Sequence, residues 1–340
     1  MSAGIGQAPC RQAVLGADLP LSTICTTVNK VCASGMKAVM LSAQAVATGS
    51  LGDRAMLAGG MESMSNIPHY ATKSRSGVAL GHSQLLDGII FDGLWDVYND
   101  QHMGMCAEKC AEDYGISRED QDAYCAESYR RALEATDGGV FADEIEPVII
   151  RQRRGDPVMV EHDEEPASLK LDKVPFLRPA FKRDGGTVTA ANASSINDGA
   201  AAMVVMSEEG ALNLGLRPLA RIRGYGDAAQ APVDFTTSPA IAVPAALTNA
   251  GMLPSDVEYH EINEAFAVVA LANMKLLDLD AAKVNVFGGA VALGHPIGCS
   301  GARIVGALYN VLRQSDASVG CASICNGGGG ASALIIERIE

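Results

Sequence analysis

Two short stretches, Ser34-Gly-Met-Lys-Ala-Val and Ser300-Gly-Ala-Arg-Ile-Val, agree in four of six positions when Lys and Arg are counted alike. Each starts a segment of helical character. After Gly35, Met36, Val39, Met40, Ala43 and Val46 recur at helical spacing, and Gly298-Cys-Ser-Gly-Ala-Arg-Ile-Val opens the second helix. A glycine pair or run follows each at similar distance, Gly59-Gly60 and Gly327 to Gly330. An internal echo of this kind restricts the chain to two similar βα halves of an α/β protein.

Around the first copy, Ser22-Thr-Ile-Cys-Thr-Thr-Val reads as a strand, Gly49-Ser-Leu-Gly52 as the helix stop, and Arg54 to Gly60 as a buried strand. Around the second, Lys283-Val-Asn-Val-Phe and Ala322-Ser-Ile-Cys read as strands. Between them the texture changes: residues of about 64–196 are less regular and more charged, and carry the only tryptophan, Trp95. This stretch reads as an inserted loop domain, helical over Asp113 to Ala135, with a solvated turn at Glu161-His-Asp-Glu-Glu. Gly199 to Met206 then reads as a buried strand that returns to the core. The expected division is residues 1–63 with 197–217, the insert 64–196, and 218–340.

The 340 residues, 48% hydrophobic and 19% charged, suffice for a large core. A formal charge of -14 without a basic block argues against a nucleic-acid surface. No run of 18 apolar residues predicts a membrane span, and the start, MSAGIGQAPCRQAVLG, shows neither a signal-peptide core nor a transit-peptide pattern. Nine cysteines, an odd number spread from Cys10 to Cys325, suggest reduced thiols.

Some of those thiols stand where chemistry is favoured. Cys32 lies between a strand and a helix, where free N–H groups and the helix dipole stabilise a thiolate or an oxyanion; a buried cysteine also fits as a small hydrophobe. His295, in Gly-His-Pro-Ile-Gly, occupies the equivalent turn of the second half. It suits either a structural turn or a general base facing a thiol. Cys325 runs into Asn326 and four glycines, whose bare backbone can aim N–H groups at an oxyanion. This run has neither the GxGxxG spacing nor the phosphate-loop lysine of a nucleotide site. Asn263, in Asn-Glu-Ala-Phe, reads locally as a helix cap with Glu264 in the first turn. Cys106 and Cys110 have a spacing that permits metal but lack a second ligand pair.

Taken in order, Asn29-Lys-Val-Cys-Ala-Ser-Gly, Gly59-Gly-Met-Glu-Ser-Met-Ser, His102-Met-Gly, Thr187-Val-Thr-Ala-Ala-Asn-Ala-Ser, Asn263-Glu-Ala-Phe, Gly288 to Gly298 and Cys325-Asn-Gly-Gly-Gly resemble the thiolase family. Within it, the chain is most similar to the acetoacetyl-CoA thiolases (acetyl-CoA acetyltransferases) of the mitochondrial branch. The resemblance implies a layered α-β-α-β-α fold and an enzyme that interconverts two acetyl-CoA with acetoacetyl-CoA and CoA. In these roles Cys32 is the acylated nucleophile, His295 its base and Cys325 the acid/base for the α-proton. His295 with a water on Asn263 would form one oxyanion hole, and the N–H groups of Cys32 and Gly327 the other. CoA would lie along Leu94, His102, Met103, Phe181, Ala190, Ser194, Phe235, Ala265 and Phe266, with no covalently bound cofactor.

The resemblance further implies a homo-oligomer, a tetramer, in the mitochondrion, with the cytoplasm as alternative. A potassium site in that branch uses a tyrosine after the acidic run; Pro166 stands there, so potassium is not carried over. A leading β-α-β stretch of roughly 50 residues is expected to be missing. That leaves a non-catalytic CoA binder as the alternative within the family, and a cysteine redox or metal protein as the alternative outside it.

Overall fold

Short apolar segments separated by glycine turns become packed layers in the computed structural model, which describes every residue except Ala3, Ser50, Asp53 and Glu340. The first half holds α1 (Pro9–Gly16), α2 (Ser34–Ala47) and β1 (Met56–Ser63). The insert follows with β2 (His69–Tyr70), β3 (Leu86–Asp87), β4 (Trp95–Asp96), β5 (Gln101–His102), α3 (Met103–Tyr114), α4 (Arg118–Asp137), β6 (Val148–Ile150) and β7 (Val158–Val160). The chain returns through β8 (Asp198–Val205) and α5 (Glu208–Asn213). The second half comprises β9 (Ala220–Ala229), α6 (Pro239–Ala250), β10 (Tyr259–Ile262), α7 (Ala267–Leu277), α8 (Ala290–Leu293), α9 (Ile297–Gln314), β11 (Val319–Asn326) and β12 (Gly330–Arg338).

The larger sheet runs β10-β11-β12-β9, parallel only between β10 and β11; β1 and β8 pair antiparallel as a smaller sheet. Helices α2 and α9 lie between the two. Met36, Val39 and Met40 of α2 join Ile304, Val305, Leu308 and Leu312 of α9 in one cluster with Ala58 and Val205 below and Ile324, Leu334 and Ile336 above. The period of two in β12 then serves both faces, because Ala333 and Ile335 pack against Ala242, Val243 and Ala246 of α6. In the insert, α3 packs on α7 through Cys106, Cys110, Val268 and Ala272, and α4 meets Val291 to Leu293 through Cys125, Tyr129 and Ala132.

The two echoed motifs touch each other. A Cβ on Gly35 would fall 2.6 Å from the Ala302 nitrogen, and one on Gly301 would fall 2.6 Å from the Met36 nitrogen. Residue 35 meets 302 and residue 301 meets 36, so the contact has the form of a two-fold axis between the halves. A third glycine, Gly60 of β1, lets that strand close on α9, where a Cβ would lie 2.1 Å from the Gly298 carbonyl oxygen.

Several sequence expectations are corrected. Residues 22–28 form no strand: a β-branched run needs a pairing partner, yet only an isolated Lys30–Cys32 bridge forms here, and Ile24 is 89% exposed. The strands at 54–60 and 199–206 are half-buried rather than buried. Ala58 and Val205 face the helices, while Leu57 (56% exposed), Met61 and Val204 lie on the open outer face. Residues 283–287 turn instead of extending, because Asp280 caps a short 3-10 turn at Ala281–Lys283 and Asn285 takes φ 48°. The helix expected over Asp113 to Ala135 is two helices: Gly115 at φ 61° ends α3, and a capping box between Ser117 and Asp120 starts α4. Ser50, within the expected stop of α2, lies outside the described residues. Among the described residues no helix is long and apolar enough to cross a membrane.

The glycine contact predicts a contrast within one helix. Gly35→Ala and Gly301→Ala drive a methyl into backbone and should each destabilise by about 1–3 kcal/mol. Gly306→Ala on α9, where an added methyl meets nothing within 4 Å, should be neutral or stabilise by up to about 1 kcal/mol. Thermal unfolding of the three variants checks this, and equal melting would refute the close approach.

Candidate active site

The turn before α2 is held in an unusual shape. Val31, a β-branched residue, sits at φ 49°, in the left-handed region that costs such a residue about 1–3 kcal/mol. Hydrogen bonds hold it there: Val31 N–H donates to Asn29 Oδ1 (2.9 Å), and Ser34 Oγ donates to Val31 O (2.6 Å) while accepting from Lys30 N–H (2.8 Å). Lys30 Nζ donates to Asp227, to Ser332 Oγ (2.8 Å) and to Ala331 O (3.1 Å), and Lys37 on α2 reaches the other oxygen of Asp227 (2.5 Å). Burial pushes the Asp227 carboxyl up, but its bonds from Lys30, Lys37 and Ser332 outweigh this and hold it at about 2. The clamp fixes Cys32 at the entrance of α2.

Cys32 is buried. Burial pushes its thiol up to about 12, opposed by the N–H groups of Gly327 and of Cys32 itself, which point at the sulfur. Cys325, near the end of β11, is also raised well above the usual thiol range, first by burial and then by the neighbouring Cys32. A Cβ on Gly327 would lie 3.6 Å from Met103 Cε, so this glycine joins the thiols to the start of α3.

His295 arrives from the other half, between α8 and α9. Its N–H donates to Ser195 O (3.3 Å), and its ring Nδ1 lies 2.6 Å from Ser300 Oγ. Ser300 Oγ also lies 3.0 Å from Pro296 O, an atom that can only accept. The serine proton therefore goes to Pro296, Nδ1–H donates to Ser300, and Nε2 is left with a free lone pair. That Nε2 is buried and has no partner among the described residues. Burial pulls the imidazole down to about 4, so it is neutral at physiological pH.

Asn263 directly follows β10, next to β11. Its N–H donates to Ser323 O (3.0 Å), which sets it beside the strand that carries Cys325. The local capping expectation is overturned: α7 begins at Ala267, Phe266 is the N-cap residue, and no side chain caps it. Both polar atoms of the Asn263 amide are buried without a partner among the described residues. Buried polar groups are nearly always paired; two unpaired ones next to the strand of Cys325 can take a ligand's oxygen or a water.

Of the residues expected along CoA, Met103, Phe181, Ala265 and Phe266 gather in one cluster with Cys325, with His102 stacked on Phe181 at 4.6 Å. Ser194 Oγ ties this wall to Ala265 O (2.9 Å), Leu94 borders the cluster of Cys32, and Ala190 is exposed. Phe235 belongs to the same cluster and is buried, at 1% exposure. Pro166 is buried in a short turn against α4. Among the described residues no three His, Cys, Asp or Glu side chains form a metal-holding group, and all nine cysteines are free. Sequence reasoning missed Ser300, Ser195 and the Lys30–Asp227 clamp; only the Ser300 position, echoed at Ser34, carried a signal.

Residues 1–209 match the family described as thiolase, N-terminal domain, and residues 216–338 its C-terminal domain. "Acetyl-CoA acetyltransferase 1" of Arabidopsis thaliana is 57% identical over 338 residues, covering 99% of this chain and 81% of that protein. "Acetyl-CoA acetyltransferase, mitochondrial" of Rattus norvegicus is 54% identical over 99% of this chain and 78% of its own length. A crystal structure of the Acat5 thiolase from Ascaris suum in complex with coenzyme A superposes with a TM-score of 0.92 at 47% identity, covering 99% of this chain and 85% of that one.

The Ser300 contact yields a test that needs no substrate. In Ser300→Ala, Nδ1–H loses its buried acceptor, a cost of about 1–3 kcal/mol, and the ring shifts to the tautomer whose Nε2 cannot take a proton. Alkylation of Cys32 by iodoacetamide at pH 7, followed by peptide mass spectrometry, should slow roughly tenfold or more. An unchanged rate would remove Ser300 from this role.

Proposed function

The chain belongs to the thiolase family, and on that premise we propose that it is an acetyl-CoA C-acetyltransferase, interconverting two acetyl-CoA with acetoacetyl-CoA and CoA through an acyl-cysteine. The observation that carries the reading is that His295 Nε2 and the Asn263 amide are buried without a partner among the described residues, in a chain whose Cys32 and Cys325 thiols are buried too.

Nε2 of His295 takes the Cys32 proton as the sulfur attacks the thioester carbon. The N–H groups of Cys32 and Gly327 receive the oxyanion. As the tetrahedral intermediate collapses, the C–S bond to CoA breaks, and the leaving thiolate takes the proton of Cys325. The Cys325 thiolate then removes an α-proton from the second acetyl-CoA. The enolate oxygen accepts from His295 Nε2–H and from a water on Asn263. Its carbon attacks the acyl-cysteine, expelling Cys32, which recovers its proton from His295. Every proton is returned, and thiolysis is the same sequence reversed.

Charge exists only in transit in this scheme, which suits a dry site whose donors are neutral at rest. CoA is assigned to the wall of His102, Met103, Phe181, Ser194, Ala265 and Phe266, with Leu94 on the side of Cys32. We assign the chain further to a homo-oligomer, a tetramer, and to the mitochondrion, where acetoacetyl-CoA and its 2-methyl derivative from isoleucine breakdown would be substrates. A cytosolic relative, "Acetyl-CoA acetyltransferase ERG10, cytosolic" of Gibberella zeae, at 52% identity, supports the alternative compartment.

Single-turnover labelling with acetyl-CoA tests the reading. A covalent acetyl group should appear on the Cys32 peptide, and Cys32→Ser should lower turnover by at least about a thousandfold. With His295 held down at about 4 and Cys32 up at about 12, acetylation should stay level from pH 5.5 to 8.5. The depressed imidazole has already lost its proton above that window's lower edge. No label, or a rate that climbs through pH 6.5, overturns it.

A further inference from the structure

Glu264, next to Asn263, is wholly buried, and no lysine, arginine or histidine pairs with it among the described residues. Its carboxylate is met by four donors instead. Tyr124 O–H (2.7 Å) and Asn285 Nδ2–H (2.8 Å) reach Oε1; Ser128 O–H (2.8 Å) and Val291 N–H (3.0 Å) reach Oε2. Every contact is a donor, so both oxygens act only as acceptors. The space around it is also specified: a Cβ on Gly289 would fall 2.3 Å from Glu264 Cδ, and Gly289 N–H donates to Ser128 Oγ (3.1 Å).

These donors come from three places that matter. Asn285 also holds Ile262, the residue before Asn263, accepting from its N–H (2.8 Å) and donating to its carbonyl (2.9 Å). Backbone on both sides of Asn263 is thus fixed through one carboxylate. Val291 and Gly289 belong to the short α8 segment that leads to His295. Tyr124 and Ser128 lie four apart on α4 of the insert, and Arg131, one turn on, donates to Val284 O (2.7 Å) beside Asn285.

We propose that Glu264 is a positioning residue that sets Asn263 for the carbon–carbon bond step, and ties that position to α4. The proposal rests on the acetyltransferase reading. It predicts a selective defect, because the first half-reaction uses the N–H groups of Cys32 and Gly327 and His295, which Ser300 and Ser195 hold without contact to Glu264, while the second also needs Asn263.

In Glu264→Gln the amide nitrogen must face two donors, so two of the four contacts become repulsive. Rapid-quench acetylation of Cys32 by acetyl-CoA should stay within about twofold of the unaltered protein, while condensation of the acetylated enzyme with fresh acetyl-CoA slows roughly tenfold or more. The loss should fall on kcat more than on KM. Tyr124→Phe, which removes one donor and little volume, should give a smaller defect of the same kind and carries the test if Glu264→Gln does not fold. Equal slowing of both half-reactions would make Glu264 merely structural, and unchanged condensation would also overturn the proposal. If the unaltered protein shows neither half-reaction, the acetyltransferase reading fails and the proposal with it; a defect confined to the variants distinguishes the two.

Discussion

The approach of α2 to α9 at Gly35 and Gly301 is the constraint on which the remaining architecture depends. Each glycine meets backbone of the opposite helix, so the gap cannot be widened by repacking a side chain. The two helices begin at the turns that carry Cys32 and His295, and the close approach of their backbones fixes how those turns sit in the fold. The sheets above and below then follow, because apolar residues on the outer flanks of the helix pair need cover: Ala58 and Val205 supply it on one side, Ile324, Leu334 and Ile336 on the other.

Within the frame, burial leaves His295 and both thiols neutral, and among the described residues no carboxylate bonds the imidazole; a serine hydroxyl sets its tautomer instead. Carboxylates hold the neighbouring turns. Asp227 gathers Lys30 and Lys37 around the turn of Cys32, and Glu264 gathers four neutral donors around the turn of Asn263. Each holds backbone rather than substrate.

Much of this was legible in the chain because it is local. The echo at Ser34 and Ser300, the turns around Cys32 and His295, and the glycines after Cys325 are each encoded within a few residues. What could not be read depended on distant partners. Residues 22–28 have the composition of a strand but no neighbour to pair with, and β1 and β8, apolar over most of their length, bury only one face. Asn263 has the composition of a cap, yet the helix starts four residues later because Asn285, more than twenty residues on, takes over the backbone of Ile262. Phe235 sits among plausible binding residues in sequence, and only packing reveals that it is buried.

The strained Val31 turn has a consequence for the order in which its clamp is assembled during synthesis. Its lysine anchor, Lys30, is held by Asp227 and Ser332, which lie 197 and 302 residues further along the chain. A ribosome adding about 5–20 residues per second exposes Cys32 roughly 15 seconds to a minute before the last of these partners exists. Until β12 emerges, the left-handed valine rests on its local bonds with Asn29 and Ser34, without the full Lys30 anchor. The complete clamp on the Cys32 turn is thus available only once β12 has been made and closes on that turn.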